Sequence, residues 1–173
     1  MDIIVQENES SAIDSSIVKT CKGAIAQRRR RSGKYKDPSS SWGYSTMGYE
    51  YGRKMRAFID TDSLSIQEWK ITTASVYERN IAFEMIDSVR DYNYILMDAA
   101  YDSSDIYDYI FENSHAVPVI DTNRRRGIVE DKLTYNRKLG ISIKKKDSSK
   151  YKLRWEIEKT FFILKEILGM EHI

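Results

Sequence analysis

The segment Tyr94-Ile95-Leu96-Met97, four apolar or aromatic residues closed by Asp98, constrains the fold more than any other feature of the sequence. A run this short and this apolar is of the kind found in a strand covered on both faces. It lies between stretches of helical spacing. Before it, Val76 to Arg90 carries Val76, Ile81, Phe83, Met85, Ile86 and Val89 at mostly helical intervals. After it, Ser103 and Ser104 can cap a helix reaching about Asn113, with Asp105 and Asp108 near its positive end. Ala116 to Ile120 is a second short buried strand, in which Pro118 predicts incomplete or edge pairing.

The N-terminal half reads differently. Residues 11 to 20, SAIDSSIVKT, have the β-branched content of a strand, with Asp14 beside Ile13. Residues 49 to 60 and 65 to 74 form a hairpin around Asp60-Thr61-Asp62-Ser63. From Cys21 to Gly48, Gly, Ser, Pro and charge replace periodicity, which predicts a long exposed basic loop over 21–48. Asp121 to Lys150 is polar and basic, and a final helix is expected from about Ser149 to Gly169. An antiparallel start followed by alternating helices and strands predicts an α/β fold, a mixed five-stranded sheet flanked by helices. The 173 residues fit a single domain, 1–173.

Composition excludes several classes. No apolar run approaches the roughly 20 residues that cross a bilayer, and MDIIVQENES lacks the basic and apolar order of a secretion signal. The one cysteine, Cys21, excludes an internal disulfide, and with two histidines it excludes the common structural zinc patterns. A cytoplasmic location is the resulting expectation. The net charge of +2 conceals segregation: basic runs at Arg28, Arg29, Arg30, Arg31, at Arg124, Arg125, Arg126 and at Lys144 to Lys146 oppose acids at Asp98, Asp102, Asp105 and Asp108. Such runs suit a phosphate backbone, and a solvated surface accounts for them equally well.

Aspartates on buried strands need a reason, because an unpaired carboxylate beside a core is costly. Asp14 lies on the first strand and Asp98 closes the fourth, and in a sheet of this order those strands can be neighbours. Turn or helix capping is the competing explanation for each. On the last helix, at about 100° per residue, Tyr151, Arg154, Glu158 and Lys165 fall within roughly 60° of one another. That stripe borders an apolar face of Leu153, Ile157, Phe161, Leu164 and Leu168. Arg154 and Glu158 are also an ordinary i,i+4 surface pair. Three converging carboxylates without His or Cys are hard oxygen ligands for Mg²⁺ or Mn²⁺, and a pair of such ions serves phosphoryl transfer on a nucleic acid.

The spacing Tyr151-x2-Arg154-x3-Glu158-x6-Lys165 resembles the Y-R-E-K signature of insertion-sequence DDE transposases at every position. IDSSIVKT is similar to that family's segment around its first catalytic aspartate, LMDAAYDSSDIYDYI to its second, and VPVIDTNRRRG to its strand and basic turn before the glutamate helix. The resemblance spans Asp14 to Gly169. It implies an RNase H-like catalytic domain with Asp14, Asp98 and Glu158 as a D-D-E triad holding two Mg²⁺ or Mn²⁺ ions. It implies cleavage at the inverted-repeat ends of an element and joining of the 3′ hydroxyl to target DNA, with a homodimer as the possible synaptic assembly. By the same carry-over Tyr151, Arg154 and Lys165 hold DNA phosphates, with the two arginine runs as further backbone contacts. Trp42, in the long loop, is a candidate for stacking on a displaced base.

Two segments depart from the family's usual wording. Gly52-Arg53-Lys54-Met55-Arg56 stands where many relatives read GYKLH, and Ala74-Ser75-Val76-Tyr77-Glu78-Arg79 where many read ANVHDS. Only 13 residues precede Asp14, so an N-terminal end-recognition region is expected to be missing. Two alternatives stay open: an RNase H-like metal-dependent nuclease, and a transposase remnant that binds DNA without catalysis.

Overall fold

The computed structural model describes residues 8–21, 25, 38–45, 47–88, 92–123 and 132–170. Six strands form one sheet: β1 (Asn8–Lys19), β2 (Ser41–Ser45), β3 (Gly48–Asp60), β4 (Ile66–Thr73), β5 (Tyr92–Met97) and β6 (Val117–Ile120). Helices are α1 (Glu78–Ser88), α2 (Ser104–Asn113), α3 (Tyr135–Lys146), α4 (Ser148–Lys152) and α5 (Trp155–Phe162). The strand order is β2-β3-β1-β5-β6, with β4 also on β3. β2 pairs with residues 48–52 of β3 and β4 with residues 53–59, so the two divide its outer edge. β1 is antiparallel to β3 and parallel to β5, which is parallel to β6. This is the mixed, helix-flanked α/β sheet expected of an RNase H-like domain, with six strands rather than five.

Strand alternation sorts the core. Side chains of period two project to opposite faces, and Ile13, Phe58, Ile95, Met97 and Ile120 pack with Met85, Ile106 and Ile110 of α1 and α2. Their neighbours Ala12, Ala57, Ile59, Leu96 and Val119 pack with Ile157 and Phe161 of α5. Pro118 lies on β6, at the end of the strand order, where a missing N–H costs little.

Three expectations need correction. The stretch 21–48 is not loop throughout, because Ser41–Ser45 is the sixth strand and Trp42 lies on it, paired with Tyr51. Gly43 permits this: a Cβ there would stand 2.6 Å from the Ala74 carbonyl oxygen. The stretch 121–150 contains α3, capped by Thr134, whose side chain accepts from the Arg137 N–H. Finally, the C-terminal helix is not continuous. α4 ends at Lys152, α5 begins at Trp155, and a π-helical turn occupies Ile163–Ile167. Leu168, expected on the buried face, is 63 % exposed because it lies beyond that turn. Ser103 is the N-cap of α2 as expected, but its side chain makes no capping bond.

Candidate active site

Parity places the two aspartates. Asp14 follows Ala12 by two residues and Asp98 follows Leu96 by two, so both carry on the series that faces α5. Ile13 is the register partner of Met97 in the parallel β1–β5 pair, which sets Asp14, within β1, beside Asp98, just past the end of β5. The Asp14 carboxylate accepts from the Ser15 N–H at 2.7 Å. Asp98 caps the short 3-10 turn Ala99–Tyr101 by accepting from the Ala100 N–H at 2.8 Å.

Arg154 brings the helix into the site. Its Nη1 donates to Asp14 Oδ2 at 2.8 Å and its Nη2 to Glu158 Oε1 at 2.7 Å. Glu158 is therefore joined to the strand aspartates through a guanidinium. Tyr151 presents its ring to the same arginine, 5.8 Å from ring centroid to guanidinium carbon, and Lys144 of α3 stands 4.1 Å over that ring. Lys165 donates to the Ile17 carbonyl of β1 at 2.9 Å. Arg154 and Lys165 of the helical stripe thus reach β1, the strand that carries Asp14, and Tyr151 and Glu158 meet Arg154, although the helix is interrupted between them.

Electrostatics follow from crowding. Burial, then the neighbouring Asp98, pushes the Asp14 carboxyl up to about 7, against the opposing pull of the Ser15 N–H and Arg154. Burial also raises Asp98, with Glu78 and Asp121 adding to it, while the Ala100 N–H and Arg154 oppose. Burial works against the charge on Arg154, and Asp14, Tyr151 and Glu158 outweigh it and hold its pKa above the ordinary value. Burial raises the Tyr151 hydroxyl to about 12.

Desolvated carboxylates that favour protonation are a donor set whose charge a hard divalent cation can relieve, and all the donors are oxygen, which fits Mg²⁺ or Mn²⁺. Among the described residues no group of three or more His, Cys, Asp or Glu side chains could hold an ion as placed. Arg154 stands between two of the expected ligands. Two other acids of the sheet ends are occupied elsewhere. Asp60 accepts from the Asp62 and Ser63 N–H groups and the Ser63 hydroxyl, a turn role, and Asp121 pairs with Lys144.

On the opposite face of β1 lies a cluster that sequence reasoning passed over. Glu78, near the start of α1, accepts from Ser15 Oγ at 3.0 Å, Lys54 Nζ at 2.6 Å and Arg56 Nε at 2.7 Å. Arg56 is fully buried and also donates to Thr72 Oγ1 and the Val76 carbonyl, each at 2.6 Å. The two segments that depart from the family's wording therefore meet in space. Consecutive residues of β1 serve both sites: Asp14 reaches Arg154, and Ser15 reaches Glu78. The signal in the sequence was the cationic pair at 54 and 56, alternate positions of a strand and hence one face. Arg137 of α3, also unforeseen, holds Asp102 through two bonds at 3.0 and 2.8 Å. Both arginine runs, at 28–31 and 124–126, lie outside the described residues.

A mixed sheet flanked by helices, with Asp14 within β1 and Asp98 just past the end of the adjacent parallel β5, is an α/β arrangement of the kind expected of the RNase H-like class. The chain belongs to the transposase DDE domain family, whose model matches residues 7–173. A cryo-EM structure of the piggyBac transposase synaptic complex with hairpin DNA is similar at 14 % identity and a TM-score of 0.46 over 73 % of this chain. The chain spans 26 % of that protein's length. No curated protein matches. No helix of the described residues is long and apolar enough to cross a membrane.

Proposed function

We propose that the chain is a catalytic domain for DNA transposition, in which Asp14, Asp98 and Glu158 hold Mg²⁺ or Mn²⁺ for cleavage at element ends and transfer of the 3′ hydroxyl to target DNA. One observation carries the reading: Arg154 of the Y-R-E-K stripe bridges Asp14 to Glu158 while Asp98 stands beside Asp14. Bound divalent ions supply Lewis acidity at the scissile phosphate and a more acidic water or hydroxyl. The protein's own groups orient and neutralise. The backbone N–H groups of Ser15 and Ala100 fix the two aspartates, and Arg154, Tyr151 and Lys165 are placed to hold phosphate oxygens. The partner is DNA, both element ends and target, and a paired synaptic assembly would bring two ends together.

The test is incubation with Mn²⁺ and DNA carrying candidate ends, following cleaved and joined products. Joined products with the parent chain and none with Glu158→Gln are expected, since the amide keeps shape and loses the charge that binds the ion. Cleavage without joining would favour the nuclease alternative. Undiminished cleavage by Glu158→Gln would remove the glutamate from the site.

A further inference from the structure

Arg154 stands between two of the proposed metal ligands and takes an oxygen from each. Its Nη1 holds Asp14 Oδ2 and its Nη2 holds Glu158 Oε1, while Asp14 Oδ1 accepts from the Ser15 N–H. The bond to Oδ1 comes from the strand backbone and is fixed. The bonds to Oδ2 and to Glu158 come from one side chain and can be exchanged. With that side chain in place, no group of three or more acids among the described residues could hold an ion. We propose that Arg154 is a tethered cation that keeps the metal's place between Asp14 and Glu158, and that metal entry frees its guanidinium for a DNA phosphate, which couples metal binding to DNA binding. The proposal deepens the catalytic-domain reading and rests on it.

The observed pose is poised for exchange. Arg154 Nε is buried and has no hydrogen-bond partner, so one of the five guanidinium donors is left unsatisfied while the fork holds carboxylates. The far end of the fork is soft, because the Glu158 side chain is 47 % exposed and an exposed i,i+4 pair is weak. Charge is also short. One guanidinium answers Asp14 and Glu158 directly, with Asp98 beside Asp14. A divalent ion brings twice the charge to the same oxygen donors, so it outcompetes the guanidinium for them.

The released fork suits phosphate better than it suits two separate carboxylates. Its planar donors match two oxygens of one phosphate. A second cation is close by, since Lys144 stands 4.1 Å over the Tyr151 ring and the Arg154 guanidinium carbon lies 5.8 Å from that ring. Two cations at one ring favour an anion there. Linkage is reciprocal: a metal that releases the fork to DNA is itself held more tightly when DNA is bound.

Mn²⁺ binding to the 173-residue chain, followed by electron paramagnetic resonance of the free ion, is the first measurement. Arg154→Gln, which keeps the reach and loses the charge, should bind Mn²⁺ about tenfold more tightly than the parent. Lys144→Gln removes a charge of the same sign that touches neither ligand, and should change the affinity by less than about twofold. In side-chain ¹⁵N spectra, the arginine Nε–H resonance that Arg154→Gln removes should be present in EDTA and should shift or broaden away at saturating Mg²⁺. Anisotropy of a labelled duplex at fixed ionic strength completes the test: Mg²⁺ should strengthen the parent's binding about fivefold relative to its effect on Arg154→Gln. Equal or weaker Mn²⁺ binding by Arg154→Gln, an equal gain with Lys144→Gln, an arginine resonance that Mg²⁺ leaves unmoved, or the same Mg²⁺ effect on DNA binding in both chains overturns the proposal. None of these readouts needs turnover, so their failure is separate from failure of the catalytic reading, which would show as undiminished cleavage by Glu158→Gln.

Discussion

Arg154 and Asp14, 140 residues apart in sequence, are joined by a 2.8 Å charge-assisted bond between a helix N-terminus and the middle of the sheet. The same guanidinium holds Glu158. Both partners are about one-seventh exposed, at 14 % and 15 %, so the pair is screened much less than a surface bridge. One side chain therefore sets how α5 seats on β1 and how much negative charge Asp14 can carry.

Removing it should be felt in both respects. Arg154→Ala should lower stability by about 2 kcal/mol, the range for bonds to charged groups in a partly buried setting. It should also move the Asp14 titration further up, since the guanidinium now pulls it down. Arg154→Lys should restore little, because an ammonium on a single stem does not reproduce a planar fork spanning two carboxylates. Denaturant melts and carboxyl-carbon NMR titrations of the three chains check this. An alanine variant as stable as the parent, with Asp14 unmoved, would show the bridge to be ornamental.

Asp14 also makes a pH prediction. Its pKa is raised from 3.8 to about 7, so the folded chain holds that proton more tightly than the unfolded chain. The group is then most favourable to folding below its unfolded value, and its contribution declines as pH climbs from about 4 to about 7 and is fully unfavourable above. Asp14→Asn removes this slope. Relative to the parent, the variant should gain on the order of 2 to 4 kcal/mol between pH 4 and pH 8, measured by denaturation in EDTA. A difference that stays flat with pH would mean that Asp14 is not held in the desolvated setting described.

Much of this was legible in the sequence, and the omissions have physical causes. The strands 11–20, 49–60, 65–74, 94–97 and 116–120 announced themselves because burial imposes β-branched and alternating residues on them. β2 did not: Ser-Trp-Gly-Tyr-Ser has turn composition, and its strand conformation comes from pairing with β3, a tertiary cause. α3 was hidden because its only buried residue is Gly140, so it carries almost no apolar stripe. The break at Leu153-Arg154 has no Gly or Pro to mark it. The helical stripe gave the right residues, yet its partner across 140 positions could be placed only by the fold, as could the meeting of Lys54, Arg56 and Glu78.

Gly140 offers a test of that unforeseen helix. A Cβ there would lie 2.3 Å from Cε1 of Tyr107, a fully buried residue of α2, so the neighbour has little room to yield. Gly140→Ala would ordinarily gain about 1 kcal/mol of helix propensity. Overpacking costs about 1 to 3 kcal/mol. The clash should win, leaving the variant less stable by up to about 2 kcal/mol. Pairing it with Tyr107→Leu, which removes the obstructing ring edge, should recover the propensity gain relative to Tyr107→Leu alone. A stabilised single variant would mean that α3 does not sit this close to α2.

The buried cluster behind Asp14 gives the sharpest prediction. Arg56, fully buried, spends its donors on Glu78, Thr72 and Val76, so truncation strands a carboxylate and two other acceptors at once. Arg56→Ala should cost about 3 to 5 kcal/mol, the range for breaking a buried pair from one side. Lys54 remains bonded to Glu78 at 2.6 Å and keeps the loss from being larger. Arg56→His leaves the cation short of Glu78, and Glu78→Asp leaves the acid short of Arg56, so each alone should destabilise by about 1 to 3 kcal/mol. Together they should cost less than the sum of the two, by a coupling of at least about 1 kcal/mol. Thermal or denaturant unfolding of the four chains in that cycle measures it. Strict additivity would show that the two departures are independent, and that the cluster holding Ser15 beside Asp14 is not one cooperative unit.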